Sequence, residues 1–383
     1  SKLRCLLLCL SVVSLLGGCA SRADLTRMPW EGQAPQPAPK PAESPPVEGV
    51  PPSDPEVIRT QVLEMANALL PATVRDRGAW ATDIATSFAA LSIPAQERKV
   101  CAVVAIIEQE SGWQVDPVVR DLPNIARREI KNRLERYYVS PAVLDAVLLI
   151  KSSNGQTYGE RLARVSTEGE LSLIYEDMID IIPLGVGGSL FGGMNPVRTG
   201  GPMQVNIDFA GQVMRARPYP WNNAGRVRDE VFTRRGGVYF GIAMLLDYPV
   251  SYDRMLYRFA DYNAGRYSSR NAAFQRLVAT LSRHPVSIDG DLGSQTKTAL
   301  EAIPGLGMTR VSIERDLRLE KSFEFERTDL YARVRNLSKE RGIPLADAAM
   351  PEIALKSPKI SRKLSTKWFA EQVEKRYRNC LQP

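Results

Sequence analysis

The residue best suited to chemistry is Glu110, which follows an apolar run that begins at Val103. Val103, Ile106, Ile107 and Glu110 are spaced i, i+3, i+4 and i+7, so the carboxyl continues the buried face of a helix. Partial desolvation and the negative end of the helix dipole both raise the pKa of such a carboxyl. An acid still protonated near neutrality suits general-acid cleavage. The alternative is an ordinary glutamate, solvated or paired with an arginine.

Two later segments carry side chains that could serve this acid. Gly201-Pro202-Met203-Gln204 follows a glycine-rich stretch at 185–201, and glycines beside a pocket let a ligand approach the backbone closely. Tyr262-Asn263-Ala264-Gly265 ends a helical pattern, and a phenol can donate a hydrogen bond to a carboxylate. The plain alternatives are a methionine in the core and a buried tyrosine satisfied by other groups.

Helical periodicity dominates the rest of the chain, and alternation typical of strands is scarce. The predicted fold class is therefore mainly α. Ser92 and Pro94 are expected to open the buried helix, with Gly112 closing it. Either Asn206 or Asp208 is expected to cap the helix that follows Gln204. Other predicted helices cover 57–70, 75–91, 125–138, 141–150, 171–182, 235–248, 252–260 and 271–281.

The N-terminus has the pattern of an export signal. Lys2 and Arg4 precede an apolar run that ends in Leu16-Gly17-Gly18-Cys19, which resembles the lipobox of bacterial lipoproteins. This predicts a signal peptide at 1–18, a lipid on Cys19, and a proline-rich tether over 19–56. By the resemblance, Ala20 after Cys19 favours anchoring in the outer membrane, facing the periplasm. A cleaved signal without a lipid is the alternative.

Composition narrows the function classes. The 383 residues carry a formal charge of +7, and His284 is the single histidine, so histidine-based triads and histidine-rich metal sites are disfavoured. No metal or cofactor is expected, and no signature predicts nucleic-acid binding. After loss of the signal, Cys101 and Cys380 remain beside the lipidated cysteine. They either form a disulfide in the periplasm or Cys101 is a small buried apolar residue.

Glu110-Ser111, Gly201-Pro202-Met203-Gln204 and Tyr262-Asn263-Ala264-Gly265, in this order, resemble the soluble (Slt-like) lytic transglycosylases, whose fold is similar to goose-type lysozyme. The match covers mainly residues 95–113 and 198–281. The resemblance implies a lysozyme-like helical domain acting on peptidoglycan glycan strands.

The resemblance also implies a role for each motif residue. Glu110 would be the single general acid and later the base, cleaving the bond between N-acetylmuramic acid and N-acetylglucosamine with formation of a 1,6-anhydro ring. Ser111 would support the helix end, and Met203 and Gln204 would border the glycan. Tyr262 would contact Glu110, and Asn263 would orient the same wall.

The chain departs from this family in two ways. Gly201 comes about 90 residues after Glu110, which makes 114–197 an insertion with helices of its own, and Pro202 replaces the usual leucine. The insertion could supply a second carboxylate, Glu176 or Asp177, for a hydrolytic muramidase. It could also block the groove and leave a non-catalytic wall-binding scaffold. A lipoprotein unrelated to sugars is the remaining alternative.

These expectations define the domain boundaries. A catalytic domain covers 57–284 and contains the insertion. Residues 285–310 resemble part of a peptidoglycan-binding module around Asp289-Gly290-Asp291-Leu292-Gly293, although a capped surface helix explains the same pattern. A helical C-terminal extension covers 311–383.

Overall fold

The computed structural model describes residues 54–136, 141–181, 195–355 and 364–382. The signal peptide, Cys19, nearly all of the tether and most of the glycine-rich stretch lie outside these ranges. The prediction of a mainly α chain is confirmed. No helix in the described ranges has both the length and the apolar character needed to cross a membrane.

Helices account for most of the described residues. They are α1 (Pro55–Leu69), α2 (Arg77–Ala90), α3 (Glu97–Glu110), α4 (Leu122–Arg136), α5 (Pro141–Leu148), α6 (Tyr158–Arg164), α7 (Glu168–Ile181), α8 (Ile207–Ala216), α9 (Val227–Val231), α10 (Arg234–Leu246), α11 (Met255–Ala264), α12 (Ser268–Ser282), α13 (Ser294–Glu301), α14 (Arg310–Leu317), α15 (Asp329–Glu340) and α16 (Thr366–Leu381). A 3₁₀ helix covers Phe323–Arg327.

Strands are confined to two short antiparallel hairpins within the described ranges. In the first, β1 (Thr199–Gly200) pairs with β2 (Val205–Asn206), so that Thr199 faces Asn206 and Gly200 faces Val205. In the second, β3 (Ala354–Leu355) pairs with β4 (Leu364–Ser365). The first hairpin leads directly into α8, and the second leads into α16.

The start of the buried helix differs from the prediction. Helix α3 begins at Glu97, and the Ser92 cap was wrong because Ser92 closes the preceding helix instead. Its φ is +53° and its backbone N–H donates to the Ala89 carbonyl. A serine at a boundary therefore marked the end of α2 rather than the start of α3. For the helix after Gln204, Asn206 is the cap, because its side chain accepts from the Phe209 N–H.

A first hydrophobic core is built around α3. Every residue from Val100 to Ile107 is buried, and α3 packs among α1, α10 and α16. The disulfide Cys101–Cys380 links α3 to the last turn of α16, so the alternative of a free buried cysteine is wrong. Burying one large aliphatic side chain contributes about 1.5–3 kcal/mol to the free energy of unfolding. The buried residues of α3 therefore fix the position of its C-terminal end.

Helices α4 to α7, which lie within the insertion, have a separate second core. Leu122, Tyr158, Leu162 and Ile174 are buried there against one another. Helix α6 was not predicted; it starts with a capping box in which Thr157 and Glu160 satisfy each other's backbone N–H groups. Phe232, just before α10, packs against both the first and the second core.

A third core joins α12 to the helices that follow it. Phe274 and Leu277 of α12 pack with residues of α13, α14 and α15. The C-terminal extension divides between two cores, because α14 and α15 contribute to the third core and α16 contributes to the first.

Candidate functional site

Glu110 is the last residue of α3, and its side chain is partly exposed. The next residue, Ser111, is buried and its hydroxyl donates to the Ile107 carbonyl at 3.0 Å. Gly112 then adopts a φ of +56°, which turns the chain away from the helix. The structure thus holds the Glu110 carboxyl at the rim of the first core, with Ser111 engaged at the helix end.

The Gly201–Gln204 segment forms the turn of the first hairpin and lies against the glycine-bearing side of α10. A Cβ on Gly237 would come within 2.4 Å of Pro202 Cδ, and one on Gly241 within 2.3 Å of Met203 Sδ. Gly201 has a φ of +73°, and a Cβ there would come within 2.0 Å of the Val231 carbonyl. Only glycine fits these close approaches.

Met203 and Gln204 have different surroundings. The Met203 side chain is fully buried in the first core, so it supports the site from behind instead of bordering a ligand. Gln204 is partly exposed and has a φ of +49°, with its backbone N–H donating to the Gly201 carbonyl. Of the two, Gln204 is the side chain that solvent or a ligand can reach.

Tyr262 connects the second and third motifs with the acid. Its buried hydroxyl donates to the Met203 carbonyl at 2.6 Å, and a phenol carries a single hydrogen, so this bond engages it. Burial, together with the nearby Glu110 carboxylate, raises the pKa of Tyr262 well above its usual value. The structure therefore brings together residues of α3, the first hairpin and α11 that are far apart in sequence.

Asn263 is held by a residue that the sequence did not single out. Its side-chain oxygen accepts from the hydroxyl of Thr366, the first residue of α16, at 2.8 Å. Thr366 is fully buried and lies 103 positions further along the chain. No local pattern could have indicated this partner.

Asp261, the residue before Tyr262, holds the end of α11 in place through hydrogen bonds. Buried Asp261 accepts from the backbone N–H of Tyr267 at 3.0 Å and of Ser269 at 2.6 Å, and from the hydroxyls of Tyr248 and Tyr252. Burial raises the pKa of Asp261, although these donors favour the carboxylate. The two backbone bonds tie the end of α11 to the start of α12, and the two tyrosine bonds tie it to the loop between α10 and α11.

Trp113 is partly exposed, and its ring packs against another tryptophan. Its ring meets Trp80 edge-to-face with centroids 5.3 Å apart. Trp80 in turn lies under Arg234, whose guanidinium pairs with Asp83 at 2.6 Å. These contacts join α2, the residues after α3 and α10.

The two carboxylates considered for hydrolysis, Glu176 and Asp177, both form ion pairs. Glu176 pairs with Arg226 at 3.2 Å and Arg228 at 3.6 Å, and accepts from the Asn195 amide at 2.9 Å. Asp177 pairs with Arg161 at 2.5 Å. Arginine side chains therefore engage both of these carboxylates.

The segment at 285–310 is tied to α12, the helix that the sequence predicted at 271–281. The amide nitrogen of buried Gln275 donates to Asp289 at 2.9 Å and to the Asp291 carbonyl at 2.8 Å. The amide oxygen accepts from the Gly290 N–H at 2.8 Å. A single glutamine thus organises the loop before α13.

Comparison with known proteins gives a family and a relative. No solved structure matches the chain significantly. "Uncharacterized protein YaiW" of Escherichia coli (strain K12) is 42% identical over 383 residues, covering 98% of this chain and 97% of the relative. The family model described as "Protein of unknown function (DUF1615)" matches residues 73–383. With most of its length matched, the chain belongs to the DUF1615 family.

Proposed function

We propose that this protein is a lytic transglycosylase that cleaves the glycan strands of peptidoglycan, with a lysozyme-like fold in its first core. The observation that carries the proposal is the meeting of three separated motifs. Glu110 ends a buried helix, close to Tyr262, and Tyr262 binds the carbonyl directly before Gln204. The Slt-like resemblance rests on these same residues in the same order.

In the proposed reaction, Glu110 protonates the oxygen that bridges N-acetylmuramic acid and N-acetylglucosamine. The acetamido oxygen of the muramic acid assists as the glycosidic bond breaks. The 6-hydroxyl of that sugar then attacks C1, its proton returns to the Glu110 carboxylate, and a 1,6-anhydro ring closes. Gln204 and Asn263 are partly exposed polar residues of the second and third motifs, and in this reaction they would contact the glycan.

The alternative of water-dependent cleavage needs a second carboxylate to activate water. The two that the insertion offers, Glu176 and Asp177, are bound by arginines. A single acid is sufficient for the anhydro-forming reaction, so these ion pairs favour it over hydrolysis.

The proposal includes the location. A signal peptide at 1–18 and a lipid on Cys19 would anchor the protein in the outer membrane. At about 3 Å per residue, the proline-rich tether would let the catalytic domain reach on the order of 100 Å into the periplasm. That distance suits an enzyme whose substrate is the cell wall.

Mass spectrometry of glycan strands after digestion with the purified protein tests the reaction. The expected product ends in 1,6-anhydro-N-acetylmuramic acid. A reducing muramic acid end would indicate a muramidase, and binding without cleavage would indicate a scaffold; either result would overturn the proposal.

Two variants test the acid. Glu110→Gln should lower the cleavage rate by about 10²–10⁴-fold, the usual contribution of general-acid catalysis. Glu108→Gln is the matched control, since Glu108 lies on the same helical turn and pairs with Arg376 at 3.7 Å. It should stay within about threefold of wild type, and a Glu110→Gln variant with most of its activity would exclude Glu110 as the acid.

A further inference from the structure

The C-terminal helix α16 contacts two of the three elements that bear the motifs. Its residues Phe369 and Val373 are buried in the first core, and Tyr377 meets Phe259 of α11 edge-to-face at 5.6 Å. At its far end, Cys380 is bonded to Cys101 of α3. Helix α16 therefore braces the helix that ends in Glu110 against the helix that ends in Tyr262-Asn263.

The first residue of α16, Thr366, contacts a residue of the candidate site. Thr366 is fully buried, and its hydroxyl donates to the Asn263 side-chain oxygen at 2.8 Å. With the oxygen engaged, the amide nitrogen of Asn263 has no hydrogen-bond partner among the described residues, and its side chain is partly exposed. The two N–H groups are left as donors.

The position of Thr366 is fixed along the helix axis. Its backbone N–H donates to the Ile353 carbonyl at 3.0 Å, and the preceding Ser365 caps α16 by accepting from the Trp368 N–H at 3.2 Å. The disulfide holds the opposite end of the helix. The hydroxyl of Thr366 is therefore delivered to one place, where it donates to the Asn263 side-chain oxygen and leaves the amide nitrogen on the other side.

We propose that Thr366 is a positioning residue, which turns the Asn263 amide so that its N–H groups face an acceptor oxygen of a bound N-acetylated sugar. This inference rests on the proposed function. It assigns helix α16 a part in substrate recognition. If the Asn263 amide were flipped, its oxygen would face the acceptor oxygen of the sugar and repel it.

Kinetics on purified glycan strands test the role of the hydroxyl. Thr366→Val keeps the shape of the side chain and removes the donor, so KM should rise about 5–10-fold while kcat stays within about twofold. Thr366→Ser restores the donor and should return KM to within about twofold of wild type. Thr280→Val, which removes an exposed hydroxyl bonded to the Arg276 carbonyl within α12, is the control and should change neither constant.

A binding measurement separates this inference from the proposed reaction. Full-length Glu110→Gln protein is titrated with a β-1,4-linked N-acetylglucosamine hexasaccharide, while the side-chain amide signal of Asn263 is followed by NMR. The signal should shift on binding, shift less with Thr366→Val, and recover with Thr366→Ser.

Binding of this kind, together with a wild-type protein that yields no cleavage product, would contradict the proposed function and retain the role of Thr366. Equal behaviour of the valine and serine variants, or an Asn263 signal that does not respond to the sugar, would overturn the positioning role.

Discussion

The first core and the insertion are assembled in opposite ways. The first core collects α1 to α3, the hairpin at 199–206, helices α10 and α11, and α16 from across the chain. In the insertion, the second core is formed by consecutive helices α4 to α7. The candidate site depends on the non-local region, so every distant segment must be in place before Glu110, Tyr262 and Asn263 meet.

The carboxylates of the two regions differ accordingly. Glu176 and Asp177 are held by arginines, as in a structural ion pair. Glu110 ends a buried helix close to a buried phenol. If the proposed function holds, the insertion contributes structure and the first core carries the chemistry.

Removing the disulfide should have the largest effect on this comparison. With Cys101→Ser and Cys380→Ser together, the free energy of unfolding of the first core should fall by about 2–5 kcal/mol, because the link closes a loop of 279 residues. Guanidinium unfolding measures the loss, and wild type with a reductant is the control. If residues 122–181 lost as much hydrogen-exchange protection as the first core, the first core and the insertion would unfold as one unit.

Leu162→Ala should destabilise the second core and leave the first core intact. Leu162 is buried, so truncation should cost about 2–4 kcal/mol. Hydrogen exchange should then increase in 122–181 while 97–110 keeps its protection. Ile106→Ala in the first core is the matched variant and should have the reverse pattern; global unfolding by Leu162→Ala would refute the separation.

A smaller effect is expected where the hairpin meets α10. Gly237→Ala places a Cβ against Pro202 and should destabilise the protein by about 1–3 kcal/mol. Gly211→Ala in α8, whose Cβ would approach only Arg215 Nη1 at 3.6 Å, should stabilise it by about 0.5–1 kcal/mol. Urea unfolding compares the two, and the same sign for both would show that the close approach is dispensable.

The smallest effect should come from Glu176→Gln. Its ion pairs are partly solvated, so stability should fall by about 1 kcal/mol or less. Glycan cleavage should stay within about threefold of wild type. A loss of cleavage comparable to that of Glu110→Gln would move the chemistry toward the insertion.

The sequence predicted what depends on local pattern. Helix α3 was evident because its apolar run is long, and Asn206 was one of two candidates for the cap it provides. Helix α6 was missed because its seven residues carry few apolar side chains, and the capping box of Thr157 and Glu160 was the available signal. Ser92 was misread because serine occurs at both kinds of helix boundary.

Non-local contacts account for what the sequence could not provide. The resemblance implied that Tyr262 contacts Glu110, but it did not indicate that the Tyr262 hydroxyl donates to the Met203 carbonyl. The amphipathic pattern of α16 does not indicate where that helix docks. Thr366 therefore entered the site from the structure alone.

The disulfide between α3 and α16 also bears on synthesis. Helix α16 follows the other described helices of the first core in the chain, so it can pack against them only after they have been synthesised. Until then, Cys101 of α3 has no Cys380 to pair with. Because disulfides form in oxidising compartments, a protein exported as proposed would close this bond only after it had crossed the membrane.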